Sequence, residues 1–426
     1  MVVALDMIAA IAHVWRRHMD IDVVVIGAGA AGIAAARTLH DQRLSAAVVE
    51  ARDRVGGRAW TYRFGEYPLD LGAGHLHSAD ENDWAKIAPA LGFTVDQRPP
   101  SWARPAFQAN FPLAEQEDYW AAWERFYARI DAAADSTQRM ADFLEPGGGW
   151  NALLGAMATY INGTTFDQLV VREYTLYRDT GLNQRIREGY GALIAAHAAG
   201  LDIRTNCPAT LIDHAGGRVR IVTPQGEISA RAAIVAVPPG IIANETLRFA
   251  PALPDTLAAA ASLPLGVADK VFFQVDRAED LPVETRLFAS TRRTETGGYT
   301  LRPFGRPLID GYFGGPFARE LERAEGGFGA FAIEEICGAL GNDMRKRLHP
   351  IVESAWARDP LALGAYSYAS EGAQAARATL AQPVNERLFF AGEHCSDVDF
   401  STAHGAYRTG VKAANEVVKA LAPTSS

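Results

Sequence analysis

The chain has 426 residues, 48% of them hydrophobic and 21% charged, and a net charge of −9. That length exceeds one ordinary domain and suits two with ample core, while the negative charge argues against a nucleic-acid partner. Three cysteines, Cys207, Cys337 and Cys395, are too few and too scattered for a disulfide framework or a metal site, so no metal and a reducing, cytoplasmic setting are expected.

Residues 1–18 contain an apolar run whose positive charges follow it rather than precede it, with no small-residue cleavage site after it. The run is too short to span a bilayer. It reads as an N-terminal extension, with Met19 as an alternative start leading straight into the first strand. No other stretch approaches a membrane span, so no membrane partner is expected, and Pro423-Thr424-Ser425-Ser426 is not a peroxisomal address.

Residues 22–58 organise the rest. Val23 to Ile26 form a short β-branched run suited to a strand buried on both faces. Gly27, Gly29 and Gly32 follow as a GxGxxG: a tight turn, a close backbone approach to a pyrophosphate, and close helix-strand packing. The helix opening near Ala30 aims its N-terminal amides at phosphate. A second strand, Ala47 to Val49, ends on Glu50, 18 residues past Gly32, where a carboxylate can accept from two ribose hydroxyls. These residues predict a dinucleotide and leave its identity open.

Arg54-Val55-Gly56-Gly57-Arg58 completes the stretch EARDRVGGR, which resembles the glycine-arginine extension of flavin-containing amine oxidases. The resemblance implies FAD rather than NAD. It places Gly27, Gly29, Ala31, Gly32, Glu50, Ala51, Arg52, Gly57 and Arg58 along the cofactor. It also implies that the loop Asp70-Leu71-Gly72-Ala73-Gly74 passes beside the flavin, with Gly72 and Ala73 in contact and His77 at the loop's end. From its residues alone His77 reads equally as a buried structural histidine or as part of a substrate wall.

Between 83 and 188 the sequence turns aromatic and helical, and aromatic stripes at helical spacing read as core. Gly189-Tyr190-Gly191 returns the chain to the nucleotide domain, followed by a strand pattern over 201–212, a hairpin at Gly216-Gly217 and a buried strand over 233–237. In Pro264-Leu265-Gly266-Val267-Ala268-Asp269-Lys270, alternation sets Lys270 on the face of Ala268 and Phe272, an awkward place for a charge. The charged residues of ARELERAEGG, from 318 to 327, read as a solvated helix face.

The last segment carries Gly364-Ala365-Tyr366-Ser367-Tyr368, a buried strand over 388–391, Gly392-Glu393, and Ser401-Thr402-Ala403-His404-Gly405 opening a helix. By resemblance Lys270 holds a water against the flavin, Tyr366 is one wall of a cage for the amine, and Gly392, Glu393, Thr402 and Ala403 border the cofactor. Thr402 stands where monoamine oxidases carry the second cage tyrosine, as in spermine oxidases, which favours polyamines or bulkier amines. Ala365 stands where mammalian monoamine oxidases have the flavin-bonding cysteine, which implies non-covalent FAD.

The expected fold is α/β: a Rossmann-type FAD-binding domain assembled from 19–82, 189–262 and 355–426, and an α+β substrate-binding domain from 83–188 and 263–354. The expected reaction is FAD-dependent amine oxidation, with hydride passing to the flavin, an imine that hydrolyses, and O2 reduced to hydrogen peroxide. A homodimer is compatible with this reading. Alternatives are an L-amino-acid oxidase, which requires an arginine for the substrate carboxylate, a flavin-dependent desaturase, and a flavin-binding protein without turnover.

Overall fold

The computed structural model describes residues 21–423, so the N-terminal extension and the start at Met19 lie outside the described residues. Strand Ile21–Ile26 is buried on both faces. Val23 and Val25 meet Ala31, Ala35, Leu39 and Val417, whereas Val24 and Ile26 join Ile212, Ile221 and Phe390. Side chains alternate across a strand, so a strand covered on both sides must be apolar throughout.

This strand lies in an eight-stranded mixed sheet. Its parallel neighbours are Ala46–Val49 on one side and Gly226–Val235 on the other. The ten-residue strand Gly226–Val235 changes partner along its free edge. Its first half pairs antiparallel with Val219–Thr223, and Ala233 to Val235 pair parallel with Leu388–Phe390. The carboxyl ends of the parallel strands thus come together, and Gly27, Glu50, Ala236 and Gly392 lie just beyond them. Helix Ala30–Asp41 packs on helix Ala403–Leu421, closely enough that a Cβ on Gly410 would stand 2.1 Å from the Ala31 carbonyl oxygen.

A second, antiparallel sheet orders its strands Thr285–Phe288, Gly298–Leu301, Leu308–Gly314, Ala268–Val275 and Leu348–Glu353. Its pairing aligns two rows of residues on one face. Lys270, Tyr312, Gly298 and Phe288 form one row; Phe272, Asp310, Thr300 and Arg286 form the next. The opposite face, with Val271, Phe273, Leu287 and Tyr299, packs on helix Gly327–Leu340. Helices Leu113–Ala132 and Asn151–Asn162 stand over the first face and bring the aromatic residues of 83–188 with them. Among the described residues no helix is long and apolar enough to cross a membrane, and no cluster of three metal-ligating side chains occurs.

One segment differs from its sequence reading. Glu322, expected on a solvated helix face, is buried. One of its oxygens accepts from the Ala357 N–H at 2.8 Å, and its carboxyl meets that of buried Asp269. Burial, with Glu322 as neighbour, pushes the Asp269 carboxyl well above the usual range, which favours its protonated form. The short charged run hid this, because one inward residue in it looks like its solvated neighbours.

Candidate active site

The two glycine turns zip together. Gly29 and Gly56 form a parallel bridge, the Gly56 N–H donates to the Ala28 carbonyl at 2.8 Å, and a Cβ on Gly57 would stand 3.2 Å from the Gly29 Cα. Gly27, at φ 101°, leaves no room for a Cβ against the Ala236 carbonyl, 2.6 Å away. The result is a backbone cradle that side chains would fill. Glu50 closes it: its carboxylate accepts from the Ala28 N–H at 2.7 Å and the Arg52 N–H at 2.8 Å. Arg52 is held by a two-pronged pair with Asp359 at 2.7 and 3.0 Å.

This cradle is one end of a cavity of about 1010 Å³. Gly27, Gly29, Ala31, Glu50, Ala51, Arg52, Gly57, Arg58, Gly72, Ala73, Gly392, Glu393, Thr402 and Ala403 all line it, as do Lys270, Tyr366 and His77. Gly32 does not. It faces the strand, where a Cβ would fall 1.8 Å from the Gly27 carbonyl oxygen, so its part is helix packing rather than contact with a ligand.

Lys270 reaches from the antiparallel sheet to the loop of the other domain, donating from Nζ to the Asp70 carbonyl at 2.9 Å and the Gly72 carbonyl at 2.8 Å. Burial lowers its pKa, against the opposing pull of Asp70 and Asp310. Gly74 gives it room, since a Cβ there would sit 2.8 Å from Nζ. Gly74→Ala is therefore expected to displace the ammonium and slow flavin reoxidation about tenfold while FAD stays bound, as read by stopped-flow absorbance.

Across the row, the Tyr312 ring lies 5.7 Å from Lys270 Nζ and its hydroxyl interacts with that of Tyr366. Tyr366 donates to the Tyr160 carbonyl at 2.9 Å. Burial raises both phenols, Tyr366 the more, so both stay neutral. Tyr312 is thus a cavity tyrosine absent from the sequence reading.

Thr402 is the N-cap of the last helix. Its hydroxyl donates to the Asp399 carbonyl at 2.6 Å and accepts from the Gly405 N–H at 2.9 Å. Its contribution to the cavity is small size rather than a free hydroxyl. Glu393, which the resemblance sets at the border of the cofactor, has its carboxylate filled by protein donors. These are Arg58 Nη1 at 3.0 Å, the Ser367 N–H at 3.1 Å and hydroxyl at 2.5 Å, and the Ser401 N–H at 3.0 Å. Burial pushes this carboxyl up, but Arg58, His394 and Arg377 outweigh it and hold the pKa at about 2. Glu393 is therefore the anchor that fixes Arg58.

His77 lines the cavity with Nδ1 2.6 Å from the Asn183 side-chain oxygen. The Asn183 amide nitrogen donates to the Gly181 carbonyl at 3.1 Å, which orients the oxygen toward His77, places the proton on Nδ1 and leaves Nε2 with a lone pair. His75 stands beside it, with its ring centroid 6.0 Å from that of His77 and 4.6 Å from that of Trp102. Burial lowers the pKa of both imidazoles, His75 the more. Residues read from the sequence as core also reach the cavity, among them Trp102, Trp120, Trp123, Tyr127, Tyr174 and Tyr177. Helical spacing marks them as inward-facing and carries no sign that the interior there is hollow.

A nucleotide cradle at the carboxyl ends of a parallel sheet, opening into a chamber floored by a second sheet, has the layout of a dinucleotide-dependent oxidoreductase. Residues 30–155 and 91–418 match the family described as flavin containing amine oxidoreductase. Polyamine oxidase 4 of Oryza sativa subsp. japonica is 30% identical over 451 aligned positions, covering 94% of this chain and 89% of its own length. Putrescine oxidase shares the fold at TM-score 0.77 and 19% identity, covering 94% of this chain and 99% of its own. Cyclohexylamine oxidase from Brevibacterium oxydans IH-35A does so at 0.74 and 22%, covering 95% and 100%. The chain belongs to the flavin-containing amine oxidoreductases; it is an enzyme, and FAD is its cofactor. The side-chain-free cradle formed by Gly29 and Gly57, with Glu50 at its rim, fits that dinucleotide.

Proposed function

We propose that the protein oxidises an amine to an imine that hydrolyses to a carbonyl compound, with O2 reduced to hydrogen peroxide. The observation that carries this reading is Lys270, an ammonium fixed on two carbonyls of the cofactor-side loop and facing the neutral pair Tyr312 and Tyr366 across one chamber. FAD, held along the cradle of Gly29, Gly57 and Glu50, would supply the two-electron oxidising power for the amine. The protein's part is to orient and to place charge. Tyr366 and Tyr312 present ring faces between which an alkylamine is held. His77, kept neutral and with Nε2 unprotonated, offers a lone pair on the cavity wall that accepts a hydrogen bond from the amine and helps to orient it. Lys270 offers a fixed positive charge where oxygen is reduced.

The polyamine and putrescine oxidases among the relatives support an alkylamine substrate, and Asp131 and Asp179 on the cavity wall suit a cationic one. The three cysteines, all buried and unpaired, support a reducing, cytoplasmic setting. The test is anaerobic mixing of the FAD-loaded enzyme with spermidine, putrescine, benzylamine and cyclohexylamine. Bleaching of oxidised-flavin absorbance by any of these supports amine oxidation, and no bleaching by any amine overturns it. Ala365 offers no nucleophile to the flavin, so acid precipitation should release all the FAD into the supernatant; flavin retained on the pellet would contradict a dissociable cofactor.

A further inference from the structure

Five arginines line the cavity: Arg52, Arg58, Arg185, Arg286 and Arg306. Four are paired with oxygen. Arg52 pairs with Asp359, Arg58 with Glu393 and Arg185 with Glu284, and Arg306 donates to the Pro68 and Arg187 carbonyls. Arg286 is the exception. Its Nη2 meets only the Met157 thioether, at 3.1 Å, and its guanidinium carbon lies 4.6 Å over the Phe288 ring. Among the described residues no carboxylate pairs with it. Asp310 is felt only at a distance, two strands away in the same row. Burial lowers its pKa, as for a cation short of counter-charge.

The site around this guanidinium is built. Gly298 lies in register between Tyr312 and Phe288, and an ideal Cβ there would meet Arg286 Nη2 at 3.4 Å and the Tyr160 ring at 3.2 Å. The missing side chain gives Arg286 its place over the sheet. The Tyr160 hydroxyl is turned away to the Thr296 carbonyl, leaving its ring beside the guanidinium. A planar, desolvated fork with free donors is matched by a carboxylate, which it binds through two parallel hydrogen bonds.

Resting on the amine oxidase reading, we propose that the substrate is an amine bearing a carboxylate remote from the oxidised carbon–nitrogen bond, and that Arg286 binds that carboxylate. The sheet sets the distance. Gly298 is two strands from Lys270 in one row, so at about 4.8 Å per strand the guanidinium lies roughly 10 Å from the Lys270 column. An α-amino acid does not bridge that gap; an ω-amino acid does.

The test compares 6-aminohexanoate with hexylamine in anaerobic flavin reduction by the FAD-loaded enzyme, in wild type, Arg286→Met and Arg286→Lys. Wild type is expected to favour 6-aminohexanoate by at least about tenfold in reduction rate over Kd. Arg286→Met should erase that ratio and Arg286→Lys restore part of it. A wild-type preference for hexylamine, or a ratio that Arg286→Met does not move, overturns the proposal. Hexanoate, which has no amine to oxidise, separates the two readings by its perturbation of the flavin spectrum. If no amine reduces the flavin, the oxidase reading falls, while hexanoate binding weakened tenfold by Arg286→Met still supports the anion site. Hexanoate binding that Arg286→Met does not weaken removes it.

Discussion

Replacing Lys270 by methionine is expected to slow reoxidation of the reduced enzyme by O2 by about 10²-fold, the cost typical of removing one preorganised electrostatic donor from a water-poor site. Methionine keeps most of the stem and loses the charge, so the Asp70 and Gly72 carbonyls lose their shared donor but the cavity wall stays. Lys270→Arg should not rescue, because the head sits against Gly74 with no space for a planar fork. The measurement is stopped-flow mixing of the photoreduced, FAD-loaded variant with oxygenated buffer. Reoxidation within threefold of wild type would remove Lys270 from the oxidative step.

Glu393→Gln should destabilise the protein by about 3 kcal/mol or more and weaken FAD retention, because it leaves buried Arg377 and half-buried Arg58 without their shared counter-charge. The same carboxylate gives a pH dependence whose sign follows from its pKa. Its folded value, about 2, lies below the ordinary 4.5. Its contribution, roughly 3 kcal/mol, is therefore complete above about pH 4.5 and is lost as pH falls toward 2. Urea unfolding of both proteins across that window is the check. The gap between wild type and Glu393→Gln should narrow as pH falls, and a gap that stays constant would show that the ion pair is not its source.

The nucleotide-binding half was legible because its requirements are local. A glycine whose Cβ would strike a carbonyl close by in the chain, as at Gly32 against Gly27, leaves a mark at fixed spacing, and so does the acid ending the second strand. Lys270 was legible in part, since alternation put a charge on an apolar face and the resemblance supplied its role there. The substrate chamber was not. Arg286 and Asp310 belong to one row of the sheet only through pairings between strands distant in sequence, and nothing near either residue announces the other. Tyr312 and His75 were missed likewise, because which face of a strand or loop borders a hollow is decided by elements elsewhere. At Thr402 the sequence carried the position and the small size, while the capping of the last helix by its hydroxyl appears only in the fold.

The pairing of Ala233 to Val235 with Leu388–Phe390 bears on how the enzyme is made. On the ribosome, the edge of the long strand emerges some 153 residues before its partner, a wait of roughly 8 to 30 s at ordinary elongation rates. For most of that interval Arg52 lacks Asp359, and throughout it Arg58 lacks Glu393. The nascent chain therefore carries an open apolar edge and two unmatched cations, and early transcript loss or premature termination before Leu388 would yield a sticky fragment rather than a smaller flavoprotein.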